Sequence, residues 1–287
     1  MSLLTVMEST PNRVRSLLRL TAALGESTTR DALHSYMMPA RVGGDATQFN
    51  NLFRETLRLG LLTQNDSEIR LSDGLTAREV NEDAGFITFV TQTLLRPNTH
   101  SNENSAFPYA LAWLLGQPSG TAIGWASDQH LTLQRQLEGS ETYELTNEGR
   151  FAMLCYWARF LGFATQADLD GDKAVVPDPT EALVRFLPAV FGTEKRLSVS
   201  HFLTRLATLC TVLEGGQARE TVEARQRLRR PPSELSPATS LALWRLEKRR
   251  RVRLDMSSDA DAWQMMTSTA AVGVAAARRI SHIEYQG

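Results

Sequence analysis

The fold is decided by residues 46–72, which read ATQFNNLFRETLRLGLLTQNDSEIRLS. Apolar residues recur there at the spacing of one helix face, at Phe49, Leu52, Phe53 and Leu57. Gly60 follows where that helix should end, because glycine readily adopts the left-handed conformation of a helix terminus. A polar Asn-Asp-Ser turn then separates two short runs with the composition of strands. The stretch predicts a helix that leads into a β-hairpin.

The same order of features occurs twice more along the chain. Residues 146–176 read TNEGRFAMLCYWARFLGFATQADLDGDKAVV, with Gly162 at the predicted helix end and Leu-Asp-Gly-Asp as the turn. Residues 237–266 read PATSLALWRLEKRRRVRLDMSSDADAWQMM, with the hairpin turn expected at 257–261. We expect the apolar side of this third helix to carry Leu241, Leu243, Trp244 and Leu246. Self-similarity of this kind indicates a repeated structural unit.

Further helical segments precede each predicted helix and hairpin. We expect them at residues 12–24, 28–36, 106–115, 127–137, 200–213 and 220–228. Two helices, a third helix and a hairpin is the order of a winged helix-turn-helix, and the chain resembles that superfamily three times. The predicted fold class is therefore mainly α with small β-hairpins (α+β), arranged as three winged helix-turn-helix modules in tandem.

Pro177 and Pro179 interrupt regular secondary structure after the second predicted hairpin, which supports a division of the chain into three modules. We expect the first module at residues 1–80, and the second, with linking helices, at 81–180. The third and arginine-rich module is expected at 181–287. Its last residues, 280–285, alternate apolar and polar side chains, which predicts a C-terminal strand with the third hairpin as a candidate neighbour.

The outer face of the first unit's third helix carries side chains that can read DNA bases. The polar residues off the apolar stripe include Gln48, Asn51, Arg54 and Arg58. Asn and Gln pair bidentately with adenine, and Arg pairs with guanine or phosphate. A helix face that merely contacts solvent is also polar, so the pattern has two interpretations. The hairpin of this unit is not basic, since Asp66 and Glu68 oppose Arg70.

The third unit concentrates positive charge, although the whole chain has a net charge of −1. Residues 217–253 hold eleven arginine or lysine side chains against four acidic ones. Such segregation is the electrostatic footprint of polyanion binding. A solvated face, or an acidic protein surface that neutralises it, is the alternative. The candidate DNA contacts in this segment are Arg227, Arg229, Arg230, Arg245, Lys248, Arg249, Arg250, Arg251 and Arg253.

The second unit holds three of the five tryptophans, at positions 113, 125 and 157, together with Tyr143 and Tyr156. Aromatic residues gathered in this way fill a large core or form a protein–protein surface. The core interpretation is favoured, because small helical modules need aromatic side chains to fill their interiors.

No catalytic or metal-binding motif is recognisable in the sequence. The five histidines are scattered, and Cys155 and Cys210 have no partner at metal-ligand spacing. A nucleophile elbow, a phosphate loop and a dinucleotide fingerprint are missing as well. We therefore expect a protein that is not an enzyme and that needs no cofactor or metal. Two cysteines cannot form a disulfide framework, which favours a reducing cytoplasm. The longest small-apolar run, 270–277, is too short for a bilayer, so we expect no membrane contact.

Three features resemble the DpdG family, whose members are accessory proteins of bacterial systems that insert 7-deazaguanines into DNA and restrict unmodified DNA. They are the opening MSLLTVMESTPNRVRSLLRL, the three-unit layout and the ending ISHIEYQ. The resemblance implies a role in phage or plasmid defence beside ATPase and nuclease partners.

The expected function is that of a non-enzymatic subunit that binds or scaffolds double-stranded DNA within a larger complex of other protein subunits. Two alternatives stay open. One is a protein–protein adaptor, similar to the tandem winged-helix partners of bacterial condensin-type complexes. The other is a transcription regulator, which predicts a symmetric dimer and a palindromic DNA site.

Overall fold

The structure of the chain is a computed structural model that describes most of its length. The described residues are 3–25, 28–39, 41, 46–96, 106–118, 122–125, 128–139, 143–169, 171–227, 230–258, 260–266 and 278–287. Within them the chain is made of α-helices and small antiparallel sheets, which confirms the predicted α+β class.

The first unit has three helices followed by a hairpin. Its elements are α1 (Pro11–Leu24), α2 (Arg30–Met37), α3 (Ala46–Arg58), β1 (Leu62–Asn65) and β2 (Glu68–Leu71). Gly60 has a φ of 70°, so α3 ends in the left-handed conformation that the sequence predicts. Thr29, directly before α2, forms an antiparallel bridge with Glu68, so the link between α1 and α2 pairs with β2.

Two helices connect the first unit to the second. They are α4 (Ala77–Asn81) and α5 (Asp83–Leu94). The α4 helix begins with a capping box in which the Thr76 side chain accepts from the Glu79 N–H and the Glu79 carboxylate accepts from the Thr76 N–H. Arg15 of α1 pairs with Asp83 at 2.5 Å, which holds α5 against the first unit.

The second unit repeats the plan of the first. Its elements are α6 (Ala106–Leu115), β3 (Ile123–Gly124), α7 (Gln129–Gln136), α8 (Glu148–Phe160), β4 (Ala164–Leu169) and β5 (Asp172–Pro177). The strand order is β3–β5–β4, so the strand before the second helix again pairs with the second strand of the hairpin. Trp113, Tyr143 and Trp157 are fully buried, which confirms the predicted core role of these three aromatics.

The third unit has the same sheet order with longer connections. Its elements are α9 (Thr180–Phe191), β6 (Arg196–Ser198), α10 (Val199–Leu209), α11 (Gln217–Arg225), α12 (Pro237–Lys248), β7 (Val252–Asp255), β8 (Trp263–Gln264), β9 (Arg279–Ile280) and β10 (His282–Tyr285). Strands β6, β10 and β7 lie side by side with β10 in the centre. The predicted C-terminal strand is therefore confirmed.

The predicted turn of the third hairpin, at residues 257–261, was wrong. Strand β7 pairs with β10, and Leu254 lies opposite Ile283. Strand β8, which follows the expected turn, pairs with β9 and not with β7. Leu254 and Ile283 are both buried and complete the core face of the sheet. Residues 262–266 bury only Met265, so they offer no matching apolar face.

The prediction that Trp244 lies on the apolar side of the third helix was also wrong. Leu243 and Leu246 are fully buried, whereas 48% of the Trp244 side chain is exposed. The buried face of α12 is set by the spacing of Leu243 and Leu246, and Trp244 lies one residue off that face. Among the described residues, buried apolar side chains of all three units form one connected core, and the module boundaries at 80 and 180 stay predictions.

Candidate nucleic-acid interface

The outer face of α3 carries the first group of predicted contacts. Burial of Phe49, Leu52 and Phe53 turns the opposite side outward. Gln48 and Arg54 are exposed there and Asn51 is half-buried. The Arg54 guanidinium donates to Asn51 Oδ1 at 2.8 Å, so these two side chains form one polar group on the surface.

Arg58, at the end of α3, is engaged within its own helix. It forms a two-point ion pair with Glu55, in which Nε donates to Oε2 at 2.9 Å. Glu55 is only 2% exposed, so this ion pair is partly buried. Arg58 therefore has less freedom than Arg54 to meet a phosphate.

Arg30 adds a cation to this face that the sequence analysis did not include. It is the first residue of α2 and donates to Asn50 Oδ1 of α3 at 2.7 Å. Its guanidinium also lies 5.7 Å from the centre of the Phe53 ring. In the sequence, Arg30 could be recognised as the first residue of a helix, because it directly follows the capping threonine, Thr29. Its place on this surface depends on the packing of α2 against α3.

Much of the positive charge predicted for the third unit is neutralised by carboxylates of the same chain. Arg249 pairs with Glu181 at 2.5 Å, and Arg245 pairs with the buried Asp178. Most of these acids lie outside residues 217–253, which is why the segment looks more basic in sequence than it is in space. The other ion pairs are Arg219–Glu223 (2.7 Å), Arg230–Glu214 (3.2 Å), Arg230–Glu223 (2.5 Å), Arg253–Asp255 (2.9 Å) and Arg253–Glu284 (3.3 Å).

Glu214 anchors Arg230 in the interior. Burial alone would raise the pKa of this carboxyl, but Arg219 and Arg230, with donors on Ser236 and Thr239, lower the pKa to about 2. The Ser236 N–H donates to Glu214 at 2.6 Å, so the same carboxylate also holds the start of α12. Arg230 therefore has a structural partner in the folded protein.

A cationic turn remains exposed where α12 leads into β7, and we define it as Lys248, Arg250 and Arg251. Lys248 and Arg250 are exposed, and Arg251 is half-buried. The Lys248 ammonium lies 5.6 Å from the centre of the Trp244 ring. Nε of Arg251 has no hydrogen-bond partner among the described residues, so its guanidinium is only partly satisfied.

The remaining predicted residues lie apart from the cationic turn. Arg227 is exposed and lines a separate cavity beside α7, and Arg229 lies outside the described residues. Ala238, Thr239 and Ser240, near the start of α12, are buried. The predicted DNA contacts on this helix, Arg245 and Lys248, lie in its C-terminal half.

The outer part of the second unit is aromatic. The Trp125 and Tyr156 rings lie 5.2 Å apart, and the Arg159 guanidinium lies 5.5 Å from the centre of the Trp125 ring. Tyr156 and Arg159 line a cavity of 690 Å³ with Asp178 and Glu181. Since Arg245 and Arg249 pair with those two acids, the ends of α8 and α12 border the same depression.

Comparison with known families identifies the chain. The sequence profile of the family described as DpdG-like matches residues 1–260. The chain belongs to the DpdG-like family. The match includes α1 to α12 and ends before β9 and β10, so the central strand of the third sheet lies beyond it. No curated protein and no solved structure matches the chain.

No group of three or more His, Cys, Asp and Glu side chains is placed to hold a metal ion in the described ranges. None of the helices that the structure describes combines the length and apolar character needed to cross a bilayer.

Proposed function

We propose that this protein is a cytoplasmic, non-enzymatic subunit of a bacterial DNA-modification and defence complex, and that it binds double-stranded DNA through winged-helix modules. Membership of the DpdG-like family supports the role in DNA modification. The observation that carries DNA binding is the exposed polar face of α3, with Gln48, Asn51 and Arg54 directed away from the core.

Sheet order supports the winged-helix interpretation of all three units. In each unit the last strand pairs both with the strand that follows the unit's last helix and with a segment from earlier in the unit, although the third unit has four helices and the others three. We expect the last helix and the hairpin to lie on adjacent surfaces, as in proteins that insert the helix into the major groove. By this criterion α3, α8 and α12 are the three candidate recognition helices.

Of these helices, α3 is the best suited to the major groove. Gln48, Asn51 and Arg54 follow one another at intervals of three residues, so they form a row along one side of the helix. Amides and guanidinium groups in such a row match the hydrogen-bonding edges of adenine and guanine. We expect Arg30, at the start of α2, to meet a backbone phosphate beside the groove. In the hairpin, Thr63 and Gln64 are exposed and offer neutral hydrogen bonds.

The cationic turn of the third unit supplies a second, sequence-independent contact. Lys248, Arg250 and Arg251 lie within four residues and have no ion-pair partner among the described residues. Each phosphate that such cations neutralise releases counterions, so binding weakens with salt. With Arg30 and Arg54 the two surfaces neutralise about five phosphates, for which a slope of about −4.5 in log K against log salt is expected.

A protein-adaptor role has one specific observation in its favour. The exposed Trp244 lies beside the half-buried Leu241 on the outer side of α12. Tryptophan is enriched among residues that dominate protein–protein binding energies. We propose this face as the contact for another subunit of the complex, in addition to DNA binding at α3.

Fluorescence anisotropy with a labelled 20-base-pair duplex tests DNA binding. Arg54→Gln is expected to weaken binding roughly tenfold, because it removes a base or phosphate contact of about 1–3 kcal/mol. Arg78→Gln is the matched control, since it removes the same charge from an exposed arginine on α4. Wild-type protein that does not bind the duplex, or equal effects of the two substitutions, would contradict the proposal.

A further inference from the structure

We propose that the cavity beside α7 and α11 binds a nucleotide. Its described lining includes residues from the end of α6, from both helices and from residues 230–237, and its volume is 750 Å³. Cavities that enclose small ligands usually measure about 300–1,000 Å³. This site lies outside the surfaces proposed for DNA, and the inference does not depend on DNA binding.

The lining is rich in arginine and glutamine side chains. Glu234 is the one acidic residue among the described lining residues. Arginine binds phosphate through two parallel hydrogen bonds, and amide side chains form hydrogen bonds with the edge of a nucleobase. The lining residues of these two types are Arg135, Arg219, Arg227, Arg230, Gln117, Gln136 and Gln226.

Backbone hydrogen bonds join the two helix ends that form one wall of this cavity. The Glu138 N–H donates to Arg225 O at 3.1 Å, and the Arg227 N–H donates to Gln136 O at 3.2 Å. Leu137 and Gln226 form an antiparallel bridge between them. This short ribbon places Arg227 and the end of α7, which carries Arg135, side by side.

Two of the four arginines are already neutralised, and two are not. Arg219 is 3% exposed and donates to the carbonyl of Ala112 and to Glu223, and Arg230 pairs with Glu214 and Glu223. Arg227 has no ion-pair partner among the described residues. Among the described residues, the hydrogen bonds of Arg135 stay within its own helix, to the carbonyl of Leu131 and the hydroxyl of Thr132, each at 3.3 Å. Two guanidinium groups in one cavity are thus left for an anion.

The amide groups have fixed orientations. Gln136 Oε1 accepts from Trp113 Nε1 at 2.8 Å and from Gln117 Nε2 at 3.0 Å. Gln136 Nε2 donates in return to Gln117 Oε1 at 3.1 Å. Gln117 Nε2 also donates to the Trp113 carbonyl at 3.1 Å, so within this pair the second N–H of Gln136 is the one that has no acceptor among the described residues. That N–H is left for a planar ligand with a carbonyl or ring-nitrogen acceptor. Gln117 is only 6% exposed, so a small molecule can meet this network but a duplex cannot.

Isothermal titration calorimetry of the full chain, with GTP, ATP and inorganic phosphate as probes, tests the inference. We expect at least one nucleotide to bind more tightly than inorganic phosphate. Arg227→Gln is expected to weaken that binding roughly tenfold through the loss of a charge-assisted phosphate contact. Glu234→Gln is expected to strengthen it roughly threefold, because it removes the carboxylate that repels the phosphate.

Controls separate a ligand site from a structural effect. Arg54→Gln, on the distant α3 face, should leave nucleotide binding unchanged, and Arg135→Gln provides a second cavity variant if Arg227→Gln melts at a lower temperature. Absence of nucleotide binding to the wild type at 1 mM, a concentration roughly at the weak end of ligand affinities, would overturn the inference. Binding that both cavity variants leave unchanged, or phosphate binding as tight as nucleotide binding, would overturn it too.

Discussion

The buried carboxylate of Glu214 joins three segments of the third unit. It accepts hydrogen bonds from Ser236 and Thr239 at the start of α12 and pairs with Arg230. The pKa of Glu214 is lowered to about 2. The folded state therefore stabilises the charged carboxylate more than the unfolded chain does. Its contribution to stability is present above the ordinary pKa of about 4.5 and is lost as pH falls toward 2.

We predict that Glu214→Gln lowers the free energy of unfolding by about 3 kcal/mol at pH 7, because a lowering of about 2.5 pKa units corresponds to that energy. The difference from wild type should shrink as pH falls from about 4.5 toward 2. Urea unfolding at several pH values measures it. Glu220→Gln, an exposed acid on α11, is the control and should have little effect. A difference for Glu214→Gln that does not change with pH would contradict the ion-pair account.

Sequence periodicity predicted which side chains of α3 face outward. It did not predict the ion-pair partners of the arginines in the third unit. Gln48 and Arg54 are exposed because the buried positions of a helix set which side faces outward. The ion pair of Arg245 with Asp178 joins residues 67 positions apart, and that of Arg230 with Glu214 joins residues 16 positions apart. No local pattern contains such pairs, so charge counted along the chain overstated the basic surface.

The two glycines that end α3 and α8 lie in equivalent places but in different surroundings. Gly60 has a φ of 70° and Gly162 a φ of 75°. A Cβ at position 60 would have open space, whereas a Cβ at 162 would lie 3.0 Å from the Cβ of Glu181 and 3.1 Å from the Ala182 nitrogen. The Gly162 turn is therefore in direct contact with the start of α9.

We predict that Gly60→Ala lowers the free energy of unfolding by about 1 kcal/mol, which is the cost of a left-handed alanine. Gly162→Ala should lower it by roughly 1–3 kcal/mol more, because α9 must move to accommodate the methyl group. Urea unfolding of the two variants provides the comparison. Equal losses would show that α9 does not pack on this turn as described.

Local patterns predicted the helices and the first two hairpins, because each of these elements forms within one continuous stretch. The third sheet differs in that its central strand, β10, comes from the end of the chain. Residues 280–285 showed the alternation of a strand, but nothing in the alternation identifies its neighbour. Strands β7 and β10 pair although they are far apart in the sequence. Their pairing depends on the buried face that Leu254 and Ile283 form together.

The three units present different surfaces although they share one plan. The α3 face is polar and open, α8 exposes the aromatic Tyr156 together with Arg159, and α12 exposes Trp244 and its C-terminal end. We therefore expect DNA to meet the first unit and the cationic turn, while the second unit supplies much of the core. Because the net charge of the chain is only −1, its surface as a whole does not attract DNA, and binding must depend on these two local surfaces.

Hydrogen–deuterium exchange with and without duplex DNA tests most directly where the duplex binds. DNA is predicted to slow exchange in peptides that cover residues 46–71 and 248–253, and to leave α6, in the core, unchanged. Protection confined to other segments, or no protection at DNA concentrations that saturate binding, would contradict the account.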